Sequence, residues 1–184
     1  MNSRYRTLYT ASEVDGQITR IASEIIRNCR DDNPLFVALL RGAAPFASKL
    51  MFEIAKQAPD MHPDLDYMMV STYGNAQHAH EPRIVTDLAP DTDVRGRTVI
   101  VLDDVLDKGI TAHFVREHLR NMGAGDVKLA VLAQKQVERV HDITPDYCGF
   151  DATDEWLVGM GMDDADLAHE GNRWIGEILE IKRD

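Results

Sequence analysis

Basic residues, cysteine and long apolar runs are all scarce in this chain of 184 residues, and each shortage excludes something. Lys and Arg together number 20 against 31 Asp and Glu, leaving a formal net charge of −11. A polyanion needs a basic face, so nucleic acid is excluded as a main partner; a small anion needs only a local nest of donors. Two cysteines far apart in sequence, Cys29 and Cys148, make no disulfide framework and suit a reducing compartment. No apolar run approaches the length needed to span a membrane. The opening residues MNSRYRTLYT carry no signal-peptide core, so the expected compartment is the cytoplasm. There are no repeats or low-complexity tracts. The length fits one domain with a sizeable core.

Apolar periodicity sets the expected elements. Thr10 and Glu13 form a capping box for a first helix with Val14, Ile18, Ile21, Ile25 and Cys29 on one face, ended by DDNP at residues 31–34. Leu35–Leu40 reads as a buried parallel strand. The turn Arg41-Gly42-Ala43 leads into a helix from about Pro45, whose inner face is Phe46, Leu50 and Ile54. Residues 67–71 read as a strand, and residues 72–83 as a polar loop long enough to suggest a functional role. A strand over residues 99–102 precedes a helix over residues 112–122. Residues 127–133 and 156–158 are further strands, while 174–181 is ambiguous between strand and helix. Strands alternating with helices imply an α/β fold: an open, mostly parallel twisted sheet with helices on both faces.

The stretch VIVLDDVLDKGITA, residues 99–112, concentrates the chemistry. It predicts a buried strand, two acids (Asp103, Asp104) at its end, a turn holding Asp107 and Gly109, then Thr111 and a helix. Such a turn at a helix N-terminus offers amides and partial positive charge to an anion. The paired carboxylates suit hydroxyl groups or a hard divalent cation on the same ligand.

LDDVLDKGIT resembles the phosphoribosyl pyrophosphate signature of the type I phosphoribosyltransferases. Three further segments are similar to those of the hypoxanthine-guanine phosphoribosyltransferases. They are LLRGAAPFASKL (39–50), VSTYGN (70–75), and the run from Lys135 through PDYCGF (145–150) to WLVGMGMD (156–163). The resemblance implies the type I fold, with a small hood from the chain ends. It also implies Mg²⁺-dependent transfer of a ribosyl phosphate from phosphoribosyl pyrophosphate to a 6-oxopurine, in dimers or tetramers. On this reading Lys108, Gly109, Ile110 and Thr111 cradle the 5′-phosphate, and Asp103 and Asp104 hold the ribose hydroxyls. Mg²⁺ would be organised by Asp103, Asp104 and Asp163, directly or through water. Arg41 and Gly42 meet pyrophosphate, and Thr72 and Tyr73 head a lid. Asp107 takes the purine ring proton as general base. Lys135 donates to the 6-oxo group, Trp156 stacks on the base, Leu157 reads its edge through the backbone, and Asp163 lies near its 2-position.

Four positions depart from the family pattern. Lys108 stands where Thr or Ser is usual, Arg41 where Lys is common, and Thr72 where Ser is usual. His169 occupies the place of an arginine that meets pyrophosphate, with Arg173 close by in sequence. The alternatives are a xanthine-preferring enzyme and an RNA-binding regulator on the same fold, the second at odds with the acidic charge. A phospho-accepting receiver domain would carry its acid pair near the N-terminus rather than mid-chain. His78 and His80 read as loop residues rather than metal ligands.

Overall fold

Adjacent side chains of a strand point to opposite faces of its sheet, and here both faces of the central strands are apolar. The computed structural model describes residues 4–71, 82–167 and 171–182. Its first half runs β1 (Tyr5–Tyr9), α1 (Ala11–Cys29), a 3₁₀ turn (Arg30–Asp32), β2 (Leu35–Leu40), α2 (Ala44–Gln57), β3 (Asp64–Ser71) and β4 (Arg83–Thr86). Then come β5 (Thr98–Leu106), α3 (Ile110–Asn121), β6 (Asp126–Lys135), β7 (Tyr147–Ala152), β8 (Leu157–Val158) and β9 (Ile178–Ile181). On one face Phe36, Ala38, Ile100, Leu102, Ala130 and Leu132 pack under α1 and α2. On the other, Leu35, Val37, Val99, Val101, Leu129 and Val131 pack under Val115 and Leu119 of α3. Strands buried on both faces require helices on both, and this sheet has them.

The capping box forms as expected: the Glu13 amide donates to Thr10 Oγ1 at 3.3 Å, and the Thr10 amide donates to Glu13 Oε2 at 2.8 Å. The six-stranded sheet is ordered β4-β3-β2-β5-β6-β7, all parallel except β4. From β2 the chain moves to β3 on one side and later returns to β5 on the other. That reversal opens a crevice beyond the C-terminal ends of β2 and β5, the usual ligand position in such sheets.

Three differences from the periodicity reading matter. β5 does not stop at Leu102; it continues through both acids to Leu106, held by parallel pairing with β6 as far as Leu106↔Gln134. Asp103 and Asp104 therefore sit inside the strand rather than just past its end. α3 starts at Ile110, two residues earlier than expected. The ambiguous segment near the C-terminus resolves into the strand β9 alone.

A second, three-stranded sheet, β1-β9-β8, forms a hood from sequence-distant segments. Tyr5 pairs with Ile181 and Leu157 with Glu180. The hood's loop is anchored by Asp164, which is fully buried. Burial alone would raise this carboxyl, but hydrogen bonds from Arg4 and Tyr5 outweigh it and hold the group below the ordinary carboxylate range. A carboxyl depressed in the folded state stabilises the fold above its unfolded pKa, and that contribution is lost as pH falls through the folded value. We therefore expect the melting temperature of the wild type to drop faster than that of Asp164→Asn as pH is lowered below about 4. Parallel acid melting curves for the two proteins would contradict this.

Candidate active site

The turn after β5 is shaped by its neighbours. Gly109 caps α3 in the left-handed region at φ 79°, and a Cβ there would lie 2.5 Å from Ile143 Cγ2. Only glycine meets both demands. The loop after β6 holds this turn from outside: the Val140 amide donates to the Lys108 carbonyl at 3.0 Å, and Arg139 Nη1 donates to the Asp107 carbonyl at 3.2 Å. Among the described residues no side chain caps α3, which leaves its first-turn amides available to an anion. They border a cavity of about 430 Å³ lined by Asp103 and residues 105–112.

Asp103 and Asp104 are both half-buried. Burial, and then the charge of Asp104, push the Asp103 carboxyl well above the usual range. Burial also raises Asp104, although the Arg173 guanidinium works against the rise. Asp103 lines the cavity beside α3, and Asp104 lines a smaller one under the hood.

A second cavity, of about 300 Å³, lies between them and the loop after β2. Its lining includes Arg41, Gly42, Asp103, Asp104, Thr111 and Arg173. The Leu40–Arg41 peptide is cis. Backbones come very close here. A Cβ on Gly42 would run into the Asp104 carboxylate, and one on Gly161 would run into the Gly42 carbonyl. Two glycines thus let the loop backbone reach the Asp104 carboxylate and the hood backbone reach the loop. Arg173 enters from the hood, with its side chain 11% exposed; Nη2 lies 3.0 Å from Asp163 Oδ1, and Nη1 donates to the Gly161 carbonyl.

The third cavity, of about 160 Å³, is lined by Asp104, Val105, Asp107, Lys135, Trp156, Leu157, Met162 and Asp163. Lys135 ends β6 with its side chain 11% exposed, and its Nζ is 3.7 Å from Asp107 Oδ2. Trp156 is half-exposed, and its indole Nε1 donates to the Asp163 carbonyl at 2.9 Å, which ties the ring to the pocket wall. A neighbouring hollow of about 790 Å³ adds Lys108, Arg139 and Asp154.

The three cavities share walls at Asp103, Asp104, Val105 and Asp107. They bring together every site residue expected from sequence except Thr72 and Tyr73, which lie outside the described residues, as do His78, His80 and His169. Sequence reasoning missed Arg139 and Ile143, which support the turn after β5 from a loop with no periodic signal. Among the described residues no three His, Cys, Asp or Glu side chains converge on one metal position. A pair of crowded carboxylates with no nitrogen or sulfur donor nonetheless fits Mg²⁺, which prefers a few hard oxygens and completes its shell with water and substrate phosphate. Among the described residues no helix is long and apolar enough to cross a membrane.

Uncapped helix amides, two adjacent acids, and a small pocket walled by an indole and a lysine thus meet at one end of the sheet. The chain belongs to the phosphoribosyl transferase domain family, whose profile matches residues 5–165. Among its relatives, the hypoxanthine-guanine phosphoribosyltransferase of Streptococcus thermophilus (strain CNRZ 1066) is 33% identical over 176 residues, 95% of this chain and 93% of the relative. A hypoxanthine phosphoribosyltransferase structure from Staphylococcus aureus superposes with a TM-score of 0.84 at 25% identity, covering 96% of this chain and 91% of that one. A hypoxanthine-guanine-xanthine phosphoribosyltransferase structure gives 0.84 at 26% identity with full coverage of both.

Proposed function

We propose that this protein is a purine-salvage enzyme of the cytoplasm. It transfers the 5-phosphoribosyl group from phosphoribosyl pyrophosphate to hypoxanthine or guanine, releasing IMP or GMP and pyrophosphate. The observation that carries this reading is the Lys135–Asp107 pair, 3.7 Å apart, where the base pocket opens onto the phosphate cradle. A purine ring nitrogen forms the new bond to the anomeric carbon as the bond from that carbon to pyrophosphate breaks. Charge moves from the base to the leaving diphosphate, through a ribose with oxocarbenium character.

Each residue then has a task. The α3 amides and Thr111 hold the 5′-phosphate, and Lys108, which borders both the cradle and the adjoining hollow, adds positive charge there. Asp103 and Asp104 hold the ribose hydroxyls. Mg²⁺, when bound by Asp103, Asp104 and water with Asp163 nearby, supplies charge neutralisation for the diphosphate. Arg41, Gly42 and Arg173 receive the departing diphosphate; Arg173 thereby fills the role that His169 leaves open. Lys135 donates to the 6-oxo oxygen, and an adenine amino group would face it donor to donor, which rejects adenine. Asp107 takes the proton that the base releases. Leu157 and Asp163 border the far edge of the pocket, where a 2-amino or 2-oxo group would lie.

The test is a steady-state assay with phosphoribosyl pyrophosphate, Mg²⁺ and each of hypoxanthine, guanine, xanthine, adenine and uracil. Nucleotide from hypoxanthine or guanine, with none from adenine or uracil, is expected. Failure with both 6-oxopurines rejects the reading, and a strong preference for xanthine would favour the alternative suggested by the xanthine-using relative.

A further inference from the structure

We infer that Arg4, Tyr5, Asp164 and Asn172 form a clasp that aims Arg173 at the leaving diphosphate, making Tyr5 and Asn172 positioning residues for the reaction. The inference rests on the role given above to Arg173.

The two hood residues that carry charge into the cleft, Asp163 and Arg173, each sit next to a clasp residue. Asp164 follows Asp163, and Asn172 precedes Arg173. The buried Asp164 carboxylate accepts Arg4 Nε and Nη2, both at 2.9 Å, and the Tyr5 hydroxyl at 2.6 Å. That same hydroxyl accepts Asn172 Nδ2 at 2.9 Å. One oxygen on β1 thus ties together both ends of the hood loop, whose bases are also joined by the Asp164 amide donating to the Gly171 carbonyl at 3.0 Å.

The clasp also sorts charge. Arg4 pairs with Asp164 and, through Nη2, with Asp166 at 2.6 Å, while Arg173 pairs with Asp163 on the cleft side at 3.0 Å. Asn172, in the left-handed region at φ 64°, turns the chain so that its own amide meets Tyr5 while the next side chain enters the cleft. Arg173 in turn grips Gly161 by backbone and side chain, and Gly161 abuts the Gly42 carbonyl of the diphosphate loop. The line of contact runs from the clasp to Arg173, then to Gly161 and Gly42.

The test uses the full chain. Tyr5→Phe keeps the ring and removes the bridging oxygen; Asn172→Gly keeps the left-handed turn and removes the amide. In each we expect KM for phosphoribosyl pyrophosphate, and for pyrophosphate in the reverse reaction, to rise about fivefold, with KM for hypoxanthine unchanged. In an Arg173→Gln background the effect of Tyr5→Phe should vanish, because the hydroxyl acts through Arg173. Unmoved diphosphate KM values, a full effect persisting without Arg173, or parallel rises in every KM with a lowered melting temperature would overturn the clasp. The wild type run alongside separates the two readings. An active wild type with unaffected variants rejects the clasp alone, whereas an inactive wild type rejects the proposed reaction and the clasp together.

Discussion

Replacing Asp107 by asparagine should lower kcat about a thousandfold and leave both KM values within about threefold of wild type. Asparagine has the size of aspartate, and Arg139 holds this turn through the residue 107 carbonyl rather than its side chain, so the turn should survive. What disappears is the carboxylate oxygen that faces Lys135 across 3.7 Å. The proton leaving the purine then has no acceptor at the moment the new bond forms. A large rise in the KM for the base at unchanged kcat would instead assign Asp107 to binding.

Lys135→Ala should have the second largest effect, a rise of about 30-fold in KM for hypoxanthine with the KM for phosphoribosyl pyrophosphate little changed. The Lys135 ammonium is nearly enclosed, so the bond it makes to a 6-oxo group is charge-assisted and poorly replaced by water. Its removal should also narrow the gap between hypoxanthine and adenine, since the donor that rejects an amino group is lost. Competition assays with both bases read this directly. An unchanged adenine ratio would place the discrimination elsewhere in the pocket.

Much of the frame was legible because burial leaves a pattern in the chain. The Thr10–Glu13 box, the inner face of α1 and the apolar runs of β2, β5 and β6 all follow from periodicity and capping. The acids hid the true length of β5. Aspartate is a poor strand former, so a strand that keeps pairing through Asp103 and Asp104 looks from sequence as if it ends before them. β1 was illegible for another reason: its burial does not alternate, and it exists only because β9 supplies a partner. The candidate donor site lies within a dozen residues, as one local motif. The acceptor site draws on β5, β6 and the hood, and Lys135 or Trp156 alone carries no mark of what it will face. Arg173 depends on a clasp between segments at opposite ends of the sequence, and Asp164, in the run DDAD, has the composition of a solvated surface although it is fully buried.

The hood's dependence on β9 gives the two halves of the site different birthdays during synthesis. β5, α3 and the loop that supports their turn precede β8 in the chain, so the donor cradle has all its parts before the hood emerges. Among the described residues β8 pairs with β9 alone, and β9 in turn pairs with β1, which was made first. A nascent chain halted before Ile178 would therefore present the α3 amides on an open shelf, with the wall that carries Trp156 and Leu157 still lacking its partner strand.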